Sequence, residues 1–194
     1  VSVKDEAELL NGLRQRDPAA LSALFEQNAD RIYRLALRLL HDEQQADGVV
    51  QNTFLALITH AETFEGRSSI ATWLYRVAHN ECMGRLRARG HIAELAVDDE
   101  PDDGFMPSCF VDWGAVPDTL INSAESLDEM EKAVSSLKPE LRVVFLLRDV
   151  EELSTEETAQ ALGISAGAVK VRLHRARLAL REKLASYFAE WVQE

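Results

Sequence analysis

The chain has little cysteine, no long apolar run and almost no alternating pattern. Two cysteines in 194 residues, Cys82 and Cys109, exclude a disulfide framework. No stretch approaches the roughly 20 apolar residues that a membrane span needs. No signal-peptide pattern opens the chain, so a cytoplasmic location is expected. Without a period-two run or an Asn-Gly hairpin turn, strands are not expected. There is also no phosphate-binding glycine loop, no His-Glu metal motif and no nucleophile elbow. The expectation is a protein that is not an enzyme and holds no cofactor or metal.

One further absence organises the rest. Between Arg89 and Lys132 there is no lysine or arginine, while residues 90–131 hold 12 of the 33 acidic residues. Outside this segment 21 acids face 21 bases, so the whole net charge of −12 belongs to it. Charge asymmetry of this kind marks a segment with its own job. It contains DDEPDDGF, then Pro107, Gly114 and Pro117. Low hydrophobicity and high charge over Asp98–Gly104 predict a flexible linker. The apolar patch Phe105, Met106, Phe110, Val111 and Trp113 is too sticky for a spacer and predicts docking, on a partner or on a neighbouring domain. The predicted organisation is all-α: a helical domain over 1–90, an acidic linker over 91–126 and a second helical domain over 127–194.

What is present is helical. Near the C-terminus runs LSTEETAQALGISAGAVKVRLHRAR, residues 153–177. Ser154 and Glu157 have the spacing of a capping box. Ala159 and Leu162 give that helix a buried side. Gly163 can take the left-handed conformation that ends it, Ile164 fills the turn, and Ser165 can cap a second helix. There Val169, Leu173, Ala176 and Leu180 make one apolar face. The opposite face carries Gly167, Ala168, Val171 and Arg175, flanked by Lys170 and His174. This is the pattern of a helix-turn-helix, whose second helix enters the DNA major groove. Lys170 and Arg175 can reach base edges or phosphates, and Val171 can pack on a thymine methyl. Arg172, Arg177, Arg181 and Lys183 are placed for phosphates.

The N-terminal domain reads as three further helices. Asp17 and Pro18 start one, with Leu21, Leu24, Phe25, Ile32, Leu35, Ala36 and Leu39 on its buried face. Asp42 and Gln45 start the next, where Val49, Val50, Phe54, Leu57 and Ile58 follow. The third, Ala71 to Arg89, buries Trp73, Leu74, Val77 and Ala78. It is basic, with Arg76, Arg85, Arg87 and Arg89 against Glu81, and the loop TFEGRSS precedes it. A polar loop bearing an aromatic residue beside a basic helix suits single-stranded DNA, although the arginines alone also fit a solvated face. His79 and Cys82 share a helical face, with His91 and Cys109 nearby in sequence. Structural zinc usually takes four ligands, so a buried thiol is the simpler account.

The segments FEGRSSIATWLYRVAHNECMGRLRAR and LKPELRVVFLLRDVEELSTEETAQALGISAGAVKVRLHRARLALREKL resemble the extracytoplasmic-function sigma factors of bacteria. The resemblance covers about residues 5–90 and 125–185. It implies a promoter-specificity subunit of RNA polymerase with a region 2 domain, a linker and a region 4 domain. Region 2 then binds the β′ clamp helices through the helix near 42–60, at Asp47, Val50, Gln51, Asn52 and Phe54. Its loop and third helix melt and read the −10 element through Phe64, Arg67, Ser68, Ser69, Trp73, Arg76, Asn80, Arg85 and Arg87, one unstacked base being captured by the loop. Region 4 reads the duplex −35 element through Lys170, Val171, His174 and Arg175, with Arg172 and Arg177 alongside, and docks on the β flap. The acidic linker threads the polymerase cleft as a phosphate mimic.

The resemblance also implies an anti-sigma factor, able to hold the protein at the membrane. The apolar faces around Val49–Leu57 and Phe145–Leu147 are candidates to meet polymerase and inhibitor in turn. The chain departs from the family at Gly48 and Asn52, where acids are common, and at Val171, where a hydroxyl is common. A glycine inside a helix costs up to ~1 kcal/mol relative to alanine. A conventional helix-turn-helix regulator explains residues 150–185 equally well, but not the basic third helix, its loop or the linker.

Overall fold

The computed structural model describes residues 3–64, 66–90 and 124–192. The linker expectations, including the patch at Phe105–Trp113, Cys109 and His91, lie outside the described residues. In chain order the helices are α1 (Val3–Arg14), α2 (Pro18–Leu40), α3 (Glu43–His60), a 3-10 turn (Ala61–Thr63), α4 (Ile70–Ala88), α5 (Ala124–Ser135), α6 (Pro139–Phe145) running into a π turn (Leu146–Val150), α7 (Thr155–Leu162) and α8 (Ala166–Val192). The fold is all-α, with two helical sub-domains. By its contacts the chain forms two compact units, residues 1–97 with 153–166, and residues 98–152 with 167–194.

In the first unit local chemistry sets both ends of α2 and the start of α3. Asp17 accepts a hydrogen bond from the Ala19 N–H at 2.9 Å, and Pro18 occupies the first helical position. At the other end of α2, His41 takes the left-handed conformation, with φ 52°, and donates its N–H to the Leu37 carbonyl at 2.8 Å. The next residue, Asp42, accepts from the Gln45 N–H at 3.0 Å and so caps α3. That amide and the Arg89 guanidinium, 2.7 Å away, hold the Asp42 carboxyl below its usual range. Two residues thus end one helix and begin the next, and α2 packs on α3.

The core of this unit is built from Leu24, Ile32, Leu35, Leu39, Val49, Phe54, Leu57, Ile70, Leu74, Tyr75 and Ala78, all buried. Burial of each large apolar side chain contributes about 1.5–3 kcal/mol. Two residues predicted for it are elsewhere. Phe25 is 46% exposed and Ile58 is 47% exposed. Phe25 is the residue after the buried Leu24, about 100° round the helix, and its ring leans on the rim of the core against Phe54 at 4.8 Å. Trp73 and Val77 are half-buried, beside the fully covered Leu74 and Ala78.

The segment predicted as the first helix of the helix-turn-helix also lies in this unit, where α7 packs against α4. Its capping box is complete: the Ser154 Oγ accepts from the Glu157 N–H at 3.1 Å, and a Glu157 oxygen accepts from the Ser154 N–H at 2.8 Å. Gly163 ends the helix with φ 67°, donating its N–H to the Ala159 carbonyl. A residue with a Cβ would be strained there.

The second unit gathers Ala133 and Leu137 with Ala176 and Leu180, and packs Val134, Leu141, Phe145 and Leu184 against them. Val169, Leu173, Ala176 and Leu180 are all buried, as the spacing predicts. Like Glu151, Arg142 is a buried charge of this unit. Its guanidinium donates to the Ser135 carbonyl and, at 2.9 Å, to the Leu137 carbonyl, closing the end of α5. Burial lowers its pKa from the ordinary arginine value. Replacing it by methionine keeps the stem but leaves two carbonyls without a donor. Arg142→Met is expected to destabilise the protein by about 2 kcal/mol in denaturant unfolding, with the helical circular dichroism of the folded state kept.

Candidate nucleic-acid interface

The loop after α3 and the first turns of α4 gather most of the residues predicted to read single-stranded DNA. Arg67, Ser68, Thr72, Trp73 and Arg76 line one open cavity of about 300 Å³, with Gln160 of α7 on its rim. Beside it the rings of Phe64 and Trp73 meet edge to face at 6.2 Å, and His60 lies 6.3 Å from Trp73 on another side. His60 was not foreseen. Gly66, within the loop, takes φ 70°. Ser69 serves as a cap: its Oγ accepts from the Thr72 N–H at 3.1 Å and lies 2.8 Å from the Thr72 hydroxyl. The arrangement offers hydroxyls, guanidiniums and a ring edge to one planar polar guest.

The four basic residues of α4 divide into two kinds. Arg76 and Arg87 are exposed, and Arg87 donates through Nε to the Met83 carbonyl at 3.3 Å. Arg85 is half-buried and Arg89, the exposed residue that caps α4, is likewise held by partners. Arg85 donates to the Gln45 carbonyl of α3 and lies 3.5 Å from Glu81. Arg89 donates to the Leu40 carbonyl at 3.2 Å as well as to Asp42. Asn80 is exposed on the same helix.

On α3 the predicted polymerase residues also divide. Asp47, Gln51 and Asn52 are exposed, and the Asn52 amide donates to Glu81 at 2.8 Å. Val50 and Phe54 face the core, at 8% and 5% exposure. They sit about 100° from their exposed neighbours, which carries them onto the packed face. The apolar residues that α2 and α3 do present are Phe25, Leu55 and Ile58. Likewise Leu146 and Leu147, proposed with Phe145 as a sticky face, are buried. Gly48 has a structural reason: a Cβ there would lie 3.2 and 3.3 Å from the Arg85 Nη2 and Nη1.

On α8, Lys170, Val171 and His174 are exposed, and Arg172 and Arg175 are half-buried. Arg177 is committed to a bidentate pair with Asp149, at 2.8 and 2.7 Å. Its hydrogen bonds to that carboxylate raise its pKa above the usual arginine value. The sequence pattern gave no sign of this partner 28 residues away.

Among the described residues no group of three His, Cys, Asp or Glu side chains comes together as a metal site. Cys82 is fully buried, and desolvation pushes its thiol up to about 12. Among the described residues no helix is long and apolar enough to cross a membrane.

Fold and site define a class: an all-helical protein with a loop-and-helix site on α4 and a helix-turn-helix sequence in α7 and α8. Family comparison is consistent throughout. Residues 24–92 match sigma-70 region 2, and residues 127–180 match sigma-70 region 4. The chain is 33% identical over 185 residues to the ECF RNA polymerase sigma factor SigE of Mycolicibacterium smegmatis, covering 91% of this chain and 67% of that one. It is 30% identical over 173 residues to the ECF sigma factor SigW of Bacillus subtilis, covering 89% and 92%. Among solved structures it is similar to the sigma factor RpoE in complex with the anti-sigma factor NepR from Bartonella quintana, with 26% identity, a TM-score of 0.62, and 84% and 95% coverage. CnrH, solved with the cytosolic domain of CnrY, shares the fold at 21% identity and a TM-score of 0.67 over 94% and 98% of the two chains. The chain belongs to the extracytoplasmic-function sigma factors of the sigma-70 superfamily.

Two consequences of the geometry can be measured. At pH 8 the folded protein is expected to leave Cys82 unmodified by a thiol reagent, because the thiol is buried and protonated; rapid labelling in a Cys109→Ser background, without denaturant, would contradict this. Gly48→Ala is expected to be nearly neutral alone, since the helix-propensity gain of up to ~1 kcal/mol is spent on displacing Arg85. In an Arg85→Ala background the same change is expected to stabilise by about 1 kcal/mol, a non-additivity that a double-mutant cycle reads directly.

Proposed function

We propose that this sigma factor directs core RNA polymerase to a two-part promoter and opens it. The α3–α4 unit reads the −10 element as single strand, and α8 reads the −35 element as duplex. The observation that carries the first half is the common cavity of Arg67, Ser68, Thr72, Trp73 and Arg76 beside the Phe64–Trp73 pair. A base flipped from the non-template strand meets hydroxyl and guanidinium donors there, and an aromatic ring at the edge. Extracting it costs a few kcal/mol of stacking and pairing, which these contacts must repay. Exposed Arg76 and Arg87 are placed to follow the strand's phosphates, whereas Arg85 and Arg89 serve the fold.

For the −35 element, Lys170, Val171 and His174 are the exposed side chains of the first turns of α8, with Arg175 beside them. The Val171 methyls favour a thymine methyl and reject a hydrogen-bonded partner. Asp47, Gln51 and Asn52 form the polar part of the polymerase surface on α3, and the exposed Leu55, Ile58 and Phe25 supply its apolar part. An apolar surface of this kind needs cover in the free protein. A protein inhibitor of the anti-sigma class is the natural cover, a reading supported by the likeness to RpoE solved with NepR.

Transcription by core polymerase plus this protein, over a library randomised at both promoter elements, tests the whole reading. Defined start sites with two enriched elements are expected. Tight duplex binding without any polymerase-dependent transcript would point to a conventional regulator instead. Val171→Thr is expected to weaken selection for thymine at one −35 position and leave the −10 consensus unchanged. A change confined to the −10 element would reverse the assignment of the two sites.

A further inference from the structure

Arg14, the last residue of α1, holds both ends of the turn through which α3 passes into the promoter-reading loop. Its Nε donates to the Ala61 carbonyl at 3.2 Å, and its Nη2 donates to the Phe64 carbonyl at 2.7 Å. Ala61 opens the 3-10 turn, and Phe64 is the extended residue that follows it, with φ −70° and ψ 111°. One rigid, planar guanidinium therefore fixes the separation of two carbonyls three residues apart. The base of the contact is firm, because Leu13 and Ala61 are both buried. The bonds are charge-assisted and so stronger than ordinary ones.

What this fixes is the position of the Phe64 ring. Phe64 meets Trp73 edge to face, and Trp73 lines the cavity with Arg67, Ser68 and Arg76. Beyond Phe64 the loop has Gly66 in the left-handed region and then the Ser69 cap, which ties the far end to α4. The loop is thus pinned at Phe64 by Arg14 and at Ser69 by Thr72. Resting on the reading of this loop as the −10 site, we propose that Arg14 is a positioning residue for promoter opening. It presents the loop in the shape that accepts the unstacked base, and it makes α1, which lies before the matched region 2, part of the promoter-reading apparatus.

The test uses holoenzyme assembled with the wild-type chain, Arg14→Met and Arg14→Lys. Each is measured for affinity to a single-stranded −10 oligonucleotide and for permanganate reactivity of the opened promoter. Affinity for core polymerase, binding of a −35 duplex and the thermal midpoint are the accompanying readouts. Arg14→Met is expected to weaken oligonucleotide binding and promoter opening by about tenfold, with the accompanying readouts unchanged. Arg14→Lys is expected to recover part of the loss, since an ammonium reaches one carbonyl but not both in the guanidinium's geometry.

Wild-type oligonucleotide affinity in Arg14→Met would overturn the proposal. So would a parallel loss of core binding, −35 binding and thermal midpoint, which marks a residue that only supports the fold. If Arg14→Met does not fold, the lysine variant decides: full wild-type opening by it overturns the two-carbonyl clamp, and a selective partial loss supports it. Failure of the wild-type holoenzyme itself to bind the oligonucleotide would sink the −10 reading and this inference with it.

Discussion

Helix ends leave backbone carbonyls without partners, and in this chain arginines reach across from other elements to supply them. Arg14 serves Ala61 and Phe64, Arg89 serves Leu40, and Arg142 serves Ser135 and Leu137, while Arg85 adds a second donor to the Gln45 carbonyl in the first turn of α3. Each bond joins two elements as well as satisfying an oxygen. The turns between α2 and α3 and after α3 are therefore defined from outside themselves. A guanidinium suits this because it presents several donors in one plane and keeps its charge even where desolvation opposes it, as at Arg142.

This use of arginine decides which basic residues remain for nucleic acid. On α4, two of the four predicted arginines are spent on α2 and α3, leaving Arg76 and Arg87 on the surface. On α8, Arg177 is taken by Asp149, while Lys170 and His174 remain exposed. The candidate DNA surfaces are consequently less basic than the sequence count implies. Phosphate contacts add affinity without sequence information. Under the proposed function, discrimination then rests on a shaped cavity and on a few side chains at the start of α8.

Local chemistry was legible in the sequence, and long-range chemistry was not. The caps at Asp17, Asp42 and Ser154 and the left-handed Gly163 involve residues two to four apart, so spacing alone identifies them. The buried stripe of α8 was legible because one face is covered and the period is clean. Around α2 and α3 the same reasoning placed Phe25 and Ile58 inside, and the family resemblance assigned the buried Val50 and Phe54 to polymerase. Where a helix packs on more than one neighbour, its covered arc widens, and periodicity no longer says where the arc ends. The bonds from Arg14 and Arg89 span 47 to 50 residues, and nothing in the local pattern of either arginine marks its target.

The departures from the family at Gly48 and Asn52 acquire a common explanation from the same network. Arg85 lies against α3 where positions 48 and 52 carry no carboxylate. Glu81 supplies one from α4, accepting from the Asn52 amide at 2.8 Å and lying 3.5 Å from Arg85. Gly48 leaves the space in which the Arg85 guanidinium lies against α3. The carboxylate that serves both Asn52 and Arg85 thus stands on α4, and its hydrogen bonds join α3 to α4. A neutral Asn52 can offer hydrogen bonds rather than charge, and a hydrogen bond depends less on salt than a surface ion pair. Restoring an acid at position 48 alone would bring it against a guanidinium that Glu81 already faces. Positions 48, 52, 81 and 85 therefore form one contact network, and the identity of any one constrains the others.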